Sequence, residues 1–416
     1  MLLRFGVQNL RSICDMQELS LVASALDDAP GGLIDCPPAG GHLLPAVVVY
    51  GANASGKSNL VKALRWMRQA VLLSHTRGEP GGEVPREPFA LDPAIRNAPT
   101  ICDVDFVIDE VRYHYGIEAS DQAFTREWLY SFPSGRRQML FERKEQIFEF
   151  GRNLRGRNRI VADLTRPNSL FVAAATQNDH EELSKVSSFF RAVGGEDLRP
   201  VTKGSDANPR VVEFLGGVGT GVIGTRLKKI EFTEESLEFA RGFQSLIEKT
   251  FGNARSIQLE VDSEPHKIEF AHRGRNGADI YFDLDDESDG TRRLLALLAP
   301  AFRALDASSL MVVDELDASL HTQACEALLA LFASPKTNPK GAQLIATTHD
   351  TNLLRSPLLR RDQVWFTEKD AEGATHLYPL TDFRTRKGDN LERGYLQGRY
   401  GAIPFAGSPI DIIASD

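Results

Sequence analysis

The first hundred residues alternate between segments with strand, loop and helix patterns. Apolar residues roughly alternate with polar ones in two stretches of 2–23, which predicts two strands, each with one buried face. Residues 46–50 (AVVVY) are continuously apolar, as expected of a strand buried on both faces. Apolar positions recur with helical spacing over 57–74, whereas Gly and Pro in 27–45 and 78–99 predict loops. The pattern therefore predicts a fully buried strand followed directly by a helix.

The hydrophobic pattern changes twice in the middle of the chain. Strict alternation over 101–150 predicts short strands with tight connections, hence an antiparallel β subdomain. The segments 180–193 and 234–251 have helical spacing, and 257–261 and 280–284 are candidate strands.

The last part of the chain returns to alternating helices and strands. The expected elements are a helix over 290–306, a strand over 310–313, a helix ending at 333 and a strand over 343–347. About 200 residues separate this part from the similar opening part, which predicts one discontinuous domain rather than two tandem ones. We expect a first lobe over 1–100, an antiparallel and helical insertion over 101–280, and a second lobe over 281–416. The first and second lobes are expected to form one head.

Composition and charge narrow the class of protein. The 416 residues are 42% hydrophobic and 25% charged, which argues against a disordered or fibrous chain, and the net charge of -9 argues against a dedicated nucleic-acid coat. The four cysteines lie far apart without a CxxC pair, so neither a disulfide framework nor a zinc site is predicted. We find neither a signal-peptide pattern nor an apolar run near the about 18 residues of a membrane span. A soluble, cytoplasmic protein without a membrane partner is expected.

A phosphate-binding loop directly follows the buried strand. Residues 51–58 (GANASGKS) match the pattern GxxxxGK[ST] between a predicted strand and a predicted helix. Glycines let backbone N–H groups surround the phosphates, and the helix N-terminus favours anions. Lys57 is expected to reach the β- and γ-phosphates, and Ser58 to bind Mg²⁺. The predicted ATP-binding residues of this segment are Gly51, Asn53, Ala54, Ser55, Gly56, Lys57, Ser58 and Asn59.

Two later strands end in polar residues suited to the same chemistry. The apolar strand 310–313 is followed by Asp314 and Glu315. An Asp at this position can support Mg²⁺, and the adjacent Glu can orient or deprotonate the attacking water. Strand 343–347 leads to His349, which is placed to contact the γ-phosphate. Neither strand end alone is strong evidence for a nucleotide site. Together with the phosphate-binding loop in the same chain, the two become strong evidence.

The order of these motifs resembles that of the ABC-type ATPase heads, a class that includes chromosome-maintenance and double-strand-break repair ATPases. The residues that carry the resemblance are, in order, Lys57, Ser288-Asp-Gly290, Asp314-Glu315-Leu-Asp317 and His349. The signature is Glu-Ser-Asp-Gly-Thr in place of the usual Leu-Ser-Gly-Gly-Gln, and two arginines follow it. This variant is similar to the OLD/AbiEii-like branch of bacterial AAA ATPases, which includes RloA-like and PARIS-type members. The segments 5–13 (FGVQNLRSI) and 395–404 (YLQGRYGAIP) point to the same branch.

The resemblance implies a fold and a set of site residues. The fold is α/β: an ABC-type P-loop ATPase head with a mixed, mainly parallel sheet, an antiparallel β subdomain and an inserted helical and β region. Ser288 and Gly290 of one protomer would complete the ATP site of another, in a homodimer or higher homo-oligomer. Glu315, Asp317 and His349 would be catalytic, Ser58 and Asp314 would hold Mg²⁺, and Arg11 would contact the nucleotide.

The resemblance also implies a biological role, with one alternative. Stand-alone members act in bacterial anti-phage defence and control a toxic nuclease effector, and the segment after His349 is too short for the Toprim nuclease domain of full-length OLD proteins. We therefore expect an ATPase that regulates a separate effector protein. The alternative is a DNA-maintenance ATPase that binds duplex DNA across its dimer. No sustained heptad pattern supports a long coiled-coil arm.

A basic stretch over 136–159 is the candidate site for nucleic acid or for an acidic protein partner. It has a local net charge of +5, although charge runs are more often solvated surface. The absence of aromatic residues in 153–158 argues against single-strand recognition there. Asp103 and Asp105 resemble a paired-acid nuclease site, but their alternation with apolar residues favours an ordinary strand face. The basic residues are Arg136, Arg137, Arg143, Lys144, Arg152, Arg155, Arg157 and Arg159, and the acidic ones are Glu142, Glu145 and Glu149.

Overall fold

The computed structural model describes residues 1–28, 32–195, 208–229 and 266–403. The expected helix at 234–251 and strand at 257–261 lie outside the described residues. The chain divides into two compact units, Met1–Glu196 with Pro300–Asp416, and Asp197–Ala299. The first unit is thus discontinuous in sequence, and it includes the β-rich segment that follows residue 100.

The elements of both units are numbered in chain order. The strands are β1 Leu2–Gln8, β2 Gln17–Ser20, β3 Ile34–Cys36, β4 Gly41–Leu43, β5 Ala46–Gly51, β6 Thr100–Ile108, β7 Val111–Ala119, β8 Phe124–Phe132, β9 Gln138–Lys144, β10 Ile147–Phe150, β11 Gly194–Gly195, β12 Val222–Lys229, β13 His266–Arg273, β14 Asp279–Asp283, β15 Leu310–Val313, β16 Gln343–Thr347, β17 Val364–Lys369 and β18 Thr375–Pro379. The α-helices are α1 Lys57–Arg77, α2 Pro93–Asn97, α3 Asn158–Leu164, α4 Phe171–Gln177, α5 Glu181–Ala192, α6 Pro209–Gly217, α7 Asp289–Ala307, α8 Thr322–Ala333 and α9 Leu391–Leu396.

A seven-stranded antiparallel sheet forms one layer of the first unit. Its strand order is β10-β9-β8-β7-β6-β1-β2. The alternating sequence places one row of side chains, including Val104, Phe106 and Tyr115, in the hydrophobic core, and the other row on the opposite face. The antiparallel subdomain predicted over 101–150 is confirmed, and β1 and β2 extend it.

A six-stranded sheet forms the second layer, with the order β11-β15-β16-β5-β17-β18. Every pair of neighbours is parallel except β17 and β18. All residues of β5, β15 and β16 are buried, as their continuous apolar runs predict. Carboxyl ends of parallel strands meet at one edge, so the segments after β5, β15 and β16 come together there. This mixed, mainly parallel sheet confirms the α/β fold class.

Helix α1 joins the two sheets into one core. Its buried residues include Leu60, Leu64, Met67 and Val71, spaced at three or four positions along one face. The same hydrophobic cluster contains side chains from β5 and from the antiparallel sheet. The helix that begins at the phosphate loop is therefore fixed from both sides.

An ionic pair lies inside this apolar core. Glu127 of β8 and Arg143 of β9 are fully buried, with 3.6 Å between their charged groups. The carboxylate of Glu127 also accepts hydrogen bonds from Tyr115 Oη (2.9 Å) and from the backbone N–H groups of Phe171 and Val172, at 2.6 and 3.0 Å. The last two are orphan donors of the first turn of α4. Arg143 is thus a core residue rather than part of a basic surface.

The C-terminal segment packs behind the strand that carries the phosphate loop. The ring of Tyr395 lies 6.1 Å from that of Tyr50 and stacks on Phe366 at 5.5 Å. Tyr400 stacks on the same phenylalanine at 5.8 Å, and Tyr395 Oη donates to Ala402 O. The described part of the 395–404 segment is therefore a structural support, and Pro404 lies beyond it.

The second unit contains an antiparallel sheet, β12-β13-β14. The expected strand at 280–284 corresponds to β14, while β12 and β13 were not predicted because their alternation is interrupted by charged residues. Ser288 precedes α7, and its Oγ accepts a hydrogen bond from Thr291 N at 3.1 Å, which satisfies an orphan donor of the first turn. Within the described parts of both units, no helix is long and apolar enough to cross a membrane.

Candidate functional site

The phosphate loop is held in a conformation that requires glycine. Gly56 has φ +112°, and a Cβ there would lie 2.1 Å from Thr375 Oγ1. Behind the loop, Ser55 Oγ and Thr367 Oγ1 are 2.6 Å apart, and Thr375 Oγ1 donates to Ser55 O at 2.9 Å. Residues of β17 and β18 therefore support the loop from below. Asn53 and Ala54 at its crest are exposed.

Lys57 is the buried cation of the loop. Its Nζ donates to Gly51 O at 2.7 Å and to Ala52 O at 3.0 Å. Burial lowers the pKa of Lys57 to about 8, against the opposing influence of Asp314, Asp317 and Glu315. The predicted lysine and the predicted carboxylates thus share one electrostatic environment.

A hydroxyl and a carboxylate meet at the edge where a metal is expected. Ser58 Oγ donates to Asp314 Oδ1 at 3.1 Å, and Thr347 Oγ1 donates to the same oxygen at 2.7 Å. Such hard oxygen donors are the ligands that Mg²⁺ prefers, and it commonly takes one or two protein groups beside phosphate oxygens. The donor set of Ser58 and Asp314 therefore fits Mg²⁺.

Glu315, which follows Asp314 after β15, has an unusual backbone conformation. Its φ is +52°, a region uncommon for residues other than glycine, and its N–H donates to Thr347 Oγ1 at 2.8 Å. The side chain is exposed at the site edge. The hydroxyl of Thr347 therefore contacts both Asp314 and Glu315. This role of Thr347 was not predicted from the sequence. The only sequence signal for it was its position at the end of an apolar strand.

Asp317 organises the end of β16. Its Oδ1 accepts hydrogen bonds from Thr348 Oγ1 at 2.7 Å and from His349 N at 3.1 Å. Burial and the positive charge of Lys57 lower the pKa of His349 below its ordinary value. A lowered pKa favours the neutral form of the imidazole. The arrangement gives Asp317 a positioning role and His349 a place near Lys57.

The opening segment of the chain also reaches the loop. Asn59 Nδ2 donates to Ser12 Oγ at 2.6 Å, and that hydroxyl lies 2.7 Å from Thr375 Oγ1. Arg11 has φ +54°, and its Nη2 donates to Glu87 Oε1 at 2.7 Å beside a cavity of about 730 Å³ along α1. The nucleotide contact of Arg11 stays a prediction, as do the roles of Ser288 and Gly290, which lie in the second unit.

Two other candidate sites were considered from the sequence: the pair Asp103 and Asp105, and the basic stretch over 136–159. Asp103 and Asp105 lie close enough to His114 to share a metal ion. However, Arg4 pairs with both carboxylates, and Arg112 Nη2 donates to Asp105 at 2.7 Å, so guanidinium groups already compensate the charge. In the 136–159 stretch, the burial of Arg143 leaves seven exposed basic residues.

Comparison with known proteins gave one family and two solved structures of note. The family model described as "AAA domain, putative AbiEii toxin, Type IV TA system" matches residues 46–355. The SMC head domain from Thermotoga maritima has a TM-score of 0.40 at 15% identity, covering 91% of this chain and 98% of that one. An SMC head bound to the C-terminal winged-helix domain of ScpA has a TM-score of 0.41 at 14% identity, covering 90% and 96%. A search of curated proteins found no match.

Proposed function

Because the chain belongs to the family of AAA domains described as AbiEii-type toxins, we propose that it binds and hydrolyses ATP with Mg²⁺ and dimerises when it does so. The observation that carries this proposal is the contact of Ser58 Oγ with Asp314 Oδ1. It brings together two residues 256 positions apart in sequence, each of which the nucleotide-binding pattern had singled out independently.

The residues of the site divide the chemistry among them. Lys57 and the backbone N–H groups of the loop would bind the phosphates, and Ser58 with Asp314 would hold Mg²⁺. When bound, Mg²⁺ supplies positive charge that stabilises the phosphate oxygens. Glu315 would orient the attacking water and accept its proton, since it adjoins the metal-binding residue and is exposed at the site edge.

His349 and Asp317 complete the proposed arrangement. A neutral imidazole can either donate or accept a hydrogen bond, so His349 would contact the terminal phosphate through a ring N–H. Asp317 would keep that histidine in place through the backbone contact described above. The signature residues Ser288 and Gly290 at the start of α7 would close the ATP site of a second protomer.

Dimerisation is tested with a Ser288→Arg variant. Light scattering on wild-type protein should show a doubling of mass with ATP and Mg²⁺, because the signature of each protomer would close on the other's ATP. The variant should bind ATP but remain monomeric and lose most turnover. Ser188→Arg, an exposed serine on α5, is the matched control and should dimerise normally. A Ser288→Arg protein that dimerises and turns over ATP normally would contradict the proposed role of the signature.

We further propose that the ATPase regulates a nuclease effector in anti-phage defence, a role supported by the toxin–antitoxin system in the family description. Tagged protein purified from its native host, with and without phage infection, should recover one nuclease-type protein in amounts that change on infection. Recovery of duplex DNA with no protein partner would instead favour the DNA-maintenance role.

A further inference from the structure

The face of the seven-stranded sheet that points away from the core carries a row of aromatic rings. Trp128, Tyr130 and Phe132 alternate along β8, so all three project from the same face. Each is partly exposed, whereas Leu129 and Ser131 between them are buried. Aromatic side chains in such a row form a surface on which planar ligands can stack.

The backbone beneath the row lets the first ring lie flat. Gly116 pairs with Trp128 across β7 and β8, and a Cβ at Gly116 would lie 2.1 Å from Trp128 Cζ2. Trp128 Nε1 donates to His114 Nε2 at 3.0 Å, which fixes the indole in its plane. The rings of His114 and Tyr130 are parallel within 8°, with centroids 6.0 Å apart. The rings are therefore pre-oriented along the sheet.

Each of the three rings in this row is accompanied by one guanidinium group. Arg126 lies 5.5 Å from the centroid of Trp128, Arg137 3.8 Å from that of Tyr130, and Arg112 4.7 Å from that of Phe132. Cations at these distances are held by the electron density of the ring face.

Within three ion pairs of this face, the arginine is more exposed than its carboxylate. The side chains of Arg112, Arg126 and Arg137 are 38%, 55% and 60% exposed, and their partners Asp105, Glu118 and Glu142 only 5%, 17% and 41%. At these pairs an incoming ligand would meet the guanidinium group first, while Glu149, the cross-strand partner of Glu142, is an exposed carboxylate on the same face.

We propose that this face, defined by Trp128, Tyr130, Phe132 and their arginines, binds single-stranded nucleic acid. Unpaired bases would stack on the rings, and phosphates would contact the guanidinium groups of Arg112, Arg126 and Arg137. A duplex cannot use the rings in this way because its bases are already stacked on one another. The site goes beyond the proposed ATPase function and does not involve the nucleotide-binding residues.

Fluorescence of Trp128 gives a direct test. The chain has three tryptophans, so Trp66→Phe with Trp365→Phe leaves Trp128 as the reporter. Titration with an oligo-dT or oligo-U strand of about 20 nucleotides, without ATP, should quench this fluorescence as bases stack. Quenching should weaken as salt is raised, since phosphate contacts displace counterions.

Fluorescence anisotropy of a labelled strand measures binding to variants, and these variants separate the contribution of base stacking from that of phosphate contacts. Trp128→Ala and Tyr130→Ala should each weaken binding about tenfold, and Trp128→Phe should retain most of it. Arg126→Gln should weaken binding and lower the salt dependence, whereas Arg77→Gln, an exposed arginine at the end of α1, should not. Thermal melting checks that each variant is folded.

Three results would overturn the proposal. The first is no strand binding at low salt, and the second is equal binding by wild type and Trp128→Ala. The third is preferential duplex binding without quenching. Because these measurements contain no ATP, a negative result would contradict the strand-binding proposal without contradicting the proposed ATPase activity.

Discussion

Replacing Glu315 by Gln is expected to reduce ATP turnover at least about a hundredfold while leaving ATP binding intact, because a carboxamide cannot accept the proton of the attacking water. The substitution is nearly isosteric, so the backbone at φ +52° and its contact with Thr347 should persist. ATP would then remain in the site, and the dimer should become long-lived. Phosphate release measures turnover, and calorimetry with light scattering measures binding and dimerisation.

Glu149→Gln is the matched control for this variant. It makes the same chemical change at an exposed position of β10 and should leave turnover unchanged. Turnover of Glu315→Gln at the wild-type rate would refute the assignment of the general base. Loss of ATP binding in this variant would show that Glu315 has a structural role at the loop.

Replacing Arg143 by Met is expected to lower the free energy of unfolding by about 3–5 kcal/mol, because it leaves the carboxylate of Glu127 buried without its charge partner. Burial dominates the electrostatics of this pair, since it raises the pKa of Glu127 and lowers that of Arg143. Met fills a similar volume, so the loss should come from the unpaired charge and from the carbonyl groups that Arg143 now satisfies. Urea unfolding followed by circular dichroism measures the change.

Two further variants test whether the unpaired charge of Glu127 causes the loss of stability in Arg143→Met. The double variant Glu127→Gln with Arg143→Met removes both charges and should recover a large part of the lost stability. Lys144→Met, at the next residue on the same strand, removes an exposed charge and should change stability by less than about 0.5 kcal/mol. If Arg143→Met were as stable as Lys144→Met, the pair would contribute nothing to the core.

The elements and motifs that depend on neighbouring residues could be predicted from the sequence. Strands β5, β15 and β16 were found because continuous apolar runs specify burial on both faces. Their polar ends were found because parallel strands bring such ends together.

Features that depend on distant parts of the chain were missed, for physical reasons. Thr347 and Thr375 act through partners about 30 and 320 residues away, and no local pattern encodes those contacts. Arg143 was assigned to the basic surface because charge in a sequence gives no sign of burial. The aromatic row of β8 was missed because Arg112 of β7 comes to lie beside Phe132 only after the strands have paired.

The position of β5 has a consequence for synthesis of the chain on the ribosome. Both of its neighbours in the sheet, β16 and β17, follow it by about 300 residues. Until they emerge, an apolar strand that ends in the phosphate loop has neither edge paired, and unpaired edges of this kind promote association between nascent chains. The proposed ATP site therefore forms late in translation, and early exposure of 46–50 makes this protein a candidate client of chaperones that bind nascent apolar segments.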